Sequence, residues 1–209
     1  MGKAEERAQL HKAIWRIAND LRGSVDGWDF KAYVLGFLFY RFISENLTDY
    51  LNAEERAAAD GDPEFDYARL DDADAEFARE EIVRTKGFFI RPSELFRNVR
   101  AVARSDENLN ERLSRVFRYI EGSAQGTGSE SDLRGLFDDI DVNSAKLGNT
   151  VAERNAKLVK IMDAIGDLDL SYGESSIDAF GDAYEYLMTM YASSAGKSGG
   201  EFFTPQEVS

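Results

Sequence analysis

Apolar residues recur every three to four positions along most of the chain, the spacing that lines up side chains on one face of an α-helix. Leu10, Ile14, Ile17, Ala18 and Leu21 form the first such face, and Gly23 closes the helix. Asp29 is placed to cap a second helix. Its Tyr33, Val34, Leu35, Phe37, Leu38, Phe39, Phe42, Ile43 and Leu47 cover nearly the whole circumference. A helix apolar on all sides belongs at the centre of a bundle. Residues 88–90 suit an extended segment, and Arg91, preceding Pro92, is biased away from helical backbone. Ser93 then caps a helix to about Arg104. Asn108 with Glu111 has the form of a capping box ahead of a stripe of Leu109, Leu113, Val116, Phe117 and Ile120. Residues 122–131 read as a loop and residues 133–137 as a short helix. Thr150 and Glu153 make a second capping box. They open a helix with Val151, Leu158, Ile161, Met162 and Ile165 on its face and Gly166 at its end. A last helix covers about residues 178–192, with Phe180, Tyr184, Leu187, Met188 and Tyr191 inward. Strands do not alternate with helices and no segment repeats. The predicted class is all-α: a compact helical bundle with a long acidic loop and a flexible C-terminal tail.

A length of 209 residues with 43% hydrophobic content supports one domain with a real core, or one domain plus part of another. The chain has no cysteine, which excludes disulfides and thiolate metal sites and points to a cytoplasmic setting. Its start, "MGKAEERAQLHKAIW", has no apolar signal core. The most apolar run, residues 33–40, is eight residues long, against roughly 20 for a membrane span, so no membrane partner is expected.

The net charge of −14 speaks against a free-standing DNA-binding module, which is usually basic. The charge is unevenly spread, however. Residues 54–81 hold twelve acids and three arginines, a net of −9. With Gly61, Asp62 and Pro63 and no sustained apolar period, this stretch reads as a solvated excursion between helices, with a DNA-mimicking or partner-binding role as the alternative. Residues 84–118 hold nine basic residues and four acids, a net of +5. Within them Arg97, Arg100 and Arg104 fall on one helical stripe, and Arg112 and Arg115 follow on the next helix. Such a stripe suits DNA phosphates, whose contacts add salt-sensitive affinity without sequence information. It equally suits a solvated face paired with nearby acids.

Candidate catalytic chemistry is sparse. His11 is the sole histidine and reads as solvated beside Lys12, which leaves no material for histidine metal clusters or a Ser-His-Asp triad. Asp138, Asp139 and Asp141 lack the frame of a calcium loop and suit a helix-end turn. Gly126 and Gly128 form an isolated pair in a polar loop with no strand before it. Gly196-Lys197-Ser198 resembles the end of a Walker A loop, but Tyr191 stands where that loop needs glycine, and the preceding residues read as helix. Residues 193–200, rich in Gly and Ser, read instead as a flexible joint.

The tail carries a more specific signal. "SAGKSGGEFFTPQEVS", preceded by "DAFGDAYEYLMTMYA", closely resembles the methylation subunits of type I restriction–modification systems, which are N6-adenine DNA methyltransferases. In that family a helix reading G-x-x-Y-E-[YF]-L closes the helical N-terminal domain, here Gly181, Tyr184, Glu185, Tyr186 and Leu187. A glycine-rich joint and G-[EQ]-[FY]-[FY]-T-P follow, here ending at Pro205. The stretch "WDFKAYVLGFLFYRFISE" also resembles the family pattern. The resemblance implies that Glu201, Phe202, Phe203, Thr204, Pro205 and Gln206 line an S-adenosylmethionine pocket. "TPQEV" has the form of a helix start, with Thr204 as cap and Pro205 at the first helical position, and helix starts favour anionic groups. It further implies DNA, a specificity subunit and, in the complete complex, a restriction subunit as partners.

The family's catalytic [ND]-P-P-[FY] needs adjacent prolines, and the three here, Pro63, Pro92 and Pro205, are separate. The family's F-x-G-x-G turn is missing too. The expectation is therefore a helical domain over residues 1–192 and the start of a catalytic domain over residues 193–209, with no catalytic residue and no metal site. S-adenosylmethionine is expected on the full-length subunit and not on this stretch alone. The competing reading is a non-catalytic acidic helical adaptor that binds protein partners or mimics DNA.

Overall fold

A computed structural model describes residues 3–20, 27–170, 181–183, 185–186 and 189. All regular structure among the described residues is helical. The chain divides into two units, one of Met1–Leu21 with Leu168–Ser209 and one of Arg22–Asp167.

In the first unit, the apolar face of α1 (Lys3–Asp20) buries Leu10, Ile14 and Ile17. Residues 181–183, 185–186 and 189 are helical, and Ala183 is buried. The side chains of Ala18, Leu21, Phe180, Tyr184, Leu187, Met188 and Tyr191 lie outside the described residues. Arg7 pairs with Asp182 at 3.2 Å. The His11 ring stacks on Tyr186 with centroids 4.1 Å apart and planes 8° from parallel. The histidine expected to be solvated is thus half-covered. That burial, helped by Arg7 and opposed by Asp182, lowers its pKa.

In the second unit, α2 (Gly27–Ala57) is the central element, packing against α5 (Phe96–Ala103) and α8 (Val151–Gly166). It starts two residues ahead of Asp29, which lies within the helix instead of capping it. Phe37, Leu38, Tyr40 and Leu47 are fully buried, each worth about 1.5–3 kcal/mol relative to exposure. Tyr40 meets Phe96 and Phe117 edge-on at 5.5 and 5.4 Å, and Phe117 stacks on Phe137 at 4.3 Å. The buried Tyr40 hydroxyl donates to the main-chain oxygen of Glu94, which satisfies it without water.

The acidic stretch is more ordered than its composition implies. It holds a 3-10 turn at Tyr67–Arg69, α3 (Asp72–Phe77) and the start of α4 (Arg79–Lys86). Its anchor is Tyr67. The ring is buried, the hydroxyl donates to the Ile90 carbonyl at 2.8 Å, and Asn52 accepts the backbone N–H at 2.8 Å. One buried aromatic has no period, so no pattern announces it. Gly87, at φ +83°, closes α4 in the left-handed region that favours glycine.

Other boundaries shift for local reasons. Ser93 sits in a 3-10 turn, Pro92–Glu94, and its N–H and hydroxyl both donate to Asp72, so α5 starts later, at Phe96. Asn108 does hold the cap position of α6 (Leu109–Ser123), but its side chain makes no capping bond. The Asp106 carboxylate takes the Asn108 N–H instead, at 3.0 Å. α6 extends through Gly122 and Ser123, and the short helix expected at 133–137 is not formed there: α7 (Glu130–Leu133) comes earlier and residues 134–139 are turns. The Thr150–Glu153 capping box forms as the spacing predicts. Residues 88–90 are buried and, as expected, not helical.

Candidate functional site

α5 places the expected arginine stripe against three acids from two other segments. Arg97 reaches Asp66 at 2.6 Å, the carboxylate that caps the 3-10 turn ahead of α3. Arg100 bonds Asp163 of α8 at 3.2 Å and also pairs with Asp167. Arg104 takes the other oxygen of Asp163 at 2.7 Å. One carboxylate therefore holds two arginines. Burial raises the pKa of Asp163, but the two guanidinium bonds outweigh it and lower the pKa overall.

The three arginines differ in accessibility. Arg104 and Arg97 keep 78% and 53% of their side chains exposed, against 29% for Arg100. The reason lies at the end of α8. A Cβ added at Gly166 would come within 2.2 Å of the Arg100 guanidinium. Arg100 covers the end of α8 and links it to α5, whereas Arg97 and Arg104 are open to solvent.

On α6, Arg112 bonds Asp106 at 2.5 Å. Arg115 is exposed and makes no ion pair among the described residues. The acid-paired face is thus observed for Arg97, Arg100, Arg104 and Arg112. Exposed pairs of this kind are worth about 0–1 kcal/mol each, so they add little to the stability of the fold.

One basic cluster escaped the sequence reading. Arg79 and Arg91 both donate to the Tyr119 hydroxyl, at 3.0 and 2.7 Å. Their guanidinium carbons lie 5.1 and 4.0 Å from the centre of its ring. Glu76 joins them, 2.9 Å from Arg79 and 3.4 Å from Arg91. The members come from α3, α4, the stretch before Pro92 and α6, and apart from the neighbouring Glu76 and Arg79 no sequence spacing links them.

Nearby, Glu94 is buried with one carboxylate oxygen lacking a hydrogen bond, and Arg91 stands 3.8 Å from the other. Burial raises its pKa against the pull of Arg91 and Arg115. A cleft lined by Ser44, Thr48, Asp49, Leu95 and Arg97 has about 140 Å³, below the roughly 300–1,000 Å³ of ordinary ligand pockets. Among the described residues no three His, Asp or Glu side chains gather as metal ligands, and no helix is long and apolar enough to cross a membrane. Asp141 accepts the Asn143 N–H in a turn, in line with the reading of that acidic group. Glu201, Phe202, Phe203, Thr204, Pro205, Gln206 and the joint before them lie outside the described residues.

Residues 10–165 match the family described as HsdM N-terminal domain, and residues 175–209 match the family described as N-6 DNA Methylase. The chain is 48% identical over 215 aligned positions to the type I restriction enzyme MpnII methylase subunit of Mycoplasma pneumoniae. That alignment covers 99% of this chain and 39% of the relative. A crystal structure of the type I restriction-modification system methyltransferase subunit from Streptococcus thermophilus is similar with a TM-score of 0.70 at 28% identity. It is covered over 41% of its length, by 96% of this chain. The chain thus spans about two fifths of the length of these relatives.

Proposed function

The chain belongs to the HsdM N-terminal domain family, the helical N-terminal part of type I restriction–modification methyltransferase subunits, and we propose that in a longer subunit it helps enclose DNA beside a catalytic domain that methylates adenine at N6. The observation that carries this reading is the succession of two matches along one chain, helical domain first and methylase second. S-adenosylmethionine supplies the methyl group in this reading, and Glu201, Phe202, Phe203, Thr204, Pro205 and Gln206 line its pocket. The expected partners are DNA, the specificity subunit and, in the complete complex, the restriction subunit, in a cytoplasmic setting. Arg97, Arg104, Arg112 and Arg115 contact backbone phosphates, while Arg100 supports the α5–α8 contact that holds the stripe in place.

Enclosure matters because adenine must leave the base stack to reach a methyl donor. Two measurements test the reading. Continued translation of the reading frame past Ser209 should reach an F-x-G-x-G and an [ND]-P-P-[FY], and that longer subunit, assembled with its specificity subunit, should methylate adenine. Residues 1–209 alone should transfer no methyl group. A downstream sequence without these motifs, or an assembled enzyme that methylates cytosine, refutes the proposal.

A further inference from the structure

Arg79 and Arg91 form the basic cluster least explained by folding. Arg79 lies between two rings, its guanidinium carbon 5.7 Å from the centre of Phe89 and 5.1 Å from that of Tyr119. Arg91 stacks on the same Tyr119 ring at 4.0 Å and donates to its hydroxyl. Both guanidiniums are held in position before any ligand arrives, which reduces the entropy lost on binding.

The two cations share one close counter-charge. Glu76 bonds both, and the Tyr119 hydroxyl donates to the same carboxylate at 3.3 Å. A guanidinium has five N–H donors. Arg79 spends one nitrogen, Nη1, on Glu76 and Tyr119. Arg91 uses Nε and Nη2, while its Nη1 stands 3.8 Å from Glu94, beyond hydrogen-bond reach. About one third of each side chain is open to solvent, 37% for Arg79 and 33% for Arg91. Glu76, also 37% exposed, sits on a six-residue helix. Burial acts to raise its pKa, but the Arg79 and Arg91 bonds prevail and lower it, as a strongly positive surrounding requires. Two oriented forks with spare donors and a single carboxylate between them match the geometry of a tetrahedral oxyanion.

We propose that Arg79 and Arg91, gathered on Tyr119, form a phosphate-binding site for which the Glu76 carboxylate is the internal stand-in. The ligand class is a phosphate group, carried by a nucleic-acid backbone or free in solution. The nucleic-acid source rests on the function proposed above; the site itself does not.

The test uses the isotope-labelled 209-residue chain. Inorganic phosphate is titrated while the arginine Nε–H signals are followed, with Arg79→Gln and Arg91→Lys assigning the two signals. Both should shift saturably in the wild type. Glu76→Gln, an exposed and nearly isosteric change, should tighten phosphate binding several-fold by removing the competing carboxylate. A cluster with a purely structural role predicts no gain there. Signals that do not respond to phosphate in Glu76→Gln overturn the site. In a second arm, duplex binding is measured against salt. A slope lowered by about 0.9 for each lost contact in Arg79→Gln/Arg91→Gln assigns the phosphate to the DNA backbone. An unchanged slope beside a positive phosphate titration supports the site and assigns it to free phosphate. Wild type that binds phosphate but no duplex counts against the function proposed above and leaves the site standing.

Discussion

The Arg100 guanidinium occupies the space in which a side chain at position 166 would begin, so that Gly166 and Arg100 fit together as surface and cover. Glycine near the end of a helix ordinarily costs about 0.5–1 kcal/mol relative to alanine. Here that gain is offset. Gly166→Ala should change stability by less than about 1 kcal/mol, because the Arg100 guanidinium, the far end of a flexible side chain, must leave Asp163 and Asp167, and such partly exposed pairs are worth about 0–1 kcal/mol each. Thermal denaturation decides it: a melting temperature raised by the substitution would show that Arg100 gives way freely.

The same contact divides the arginine stripe into parts with different duties. Arg97→Ala/Arg104→Ala should leave the fold intact, since both side chains are mostly exposed. Duplex affinity of the assembled enzyme should fall, and the log–log salt slope should flatten by about 0.9 per contact. Arg100→Ala should show mainly as lost stability. An unchanged slope in the double variant returns the stripe to a surface that is simply paired with acids.

Tyr67 ties the acidic stretch to the core through its ring and through its hydroxyl on Ile90. Tyr67→Phe leaves the carbonyl without that donor and should cost about 0.5–1.5 kcal/mol. Tyr67→Ala should cost about 3–5 kcal/mol, as for other buried aromatics. Chemical denaturation midpoints within experimental error of the wild type for both variants would mean that the stretch is held elsewhere.

Two carboxylates should respond to pH in opposite directions. Burial raises the pKa of Asp163, but its arginine bonds lower it further, so its folded value is depressed. The stability it contributes is present above the unfolded carboxylate range and is lost as pH falls through the folded value. Glu94 is raised by burial. Its contribution is present below the unfolded value and is lost as pH rises through the folded one. Asp163→Asn should therefore be most harmful at neutral pH, whereas Glu94→Gln should gain on the wild type as pH rises above the ordinary carboxylate range. Urea midpoints between about pH 3 and 8 test this; parallel profiles for Glu94→Gln and wild type contradict the assignment for Glu94.

What could be read from sequence follows from the range over which each interaction acts. The central helix, the α6 stripe and the α8 capping box depend on residues three or four apart, and they stand where their spacing puts them. Tyr67 was missed because a single buried ring inside twelve acids carries no period. Local rules make Ser93 a helix cap, but Asp72, distant in sequence, takes both of its donors. The acids that pair with Arg97, Arg100 and Arg104 lie 31 to 67 residues away, so sequence could offer pairing or phosphate contact but not choose. The Arg79–Arg91–Tyr119 cluster joins residues 28 and 40 positions apart, and only the folded chain brings them together.

Asn52 and Ile90 grip Tyr67 from two sides and Arg56, in the last turn of α2, donates to the Phe65 carbonyl at 2.6 Å, so the chain between positions 58 and 64 leaves and re-enters the fold at fixed points. Its length is then nearly free: doubling such a loop costs only about 0.6 kcal/mol in closure entropy. The exposed residues around Asp60 and Asp62 therefore offer a natural insertion point. A fluorophore-binding tag placed there should leave the helices undisturbed, giving a reporter attached to a rigid base.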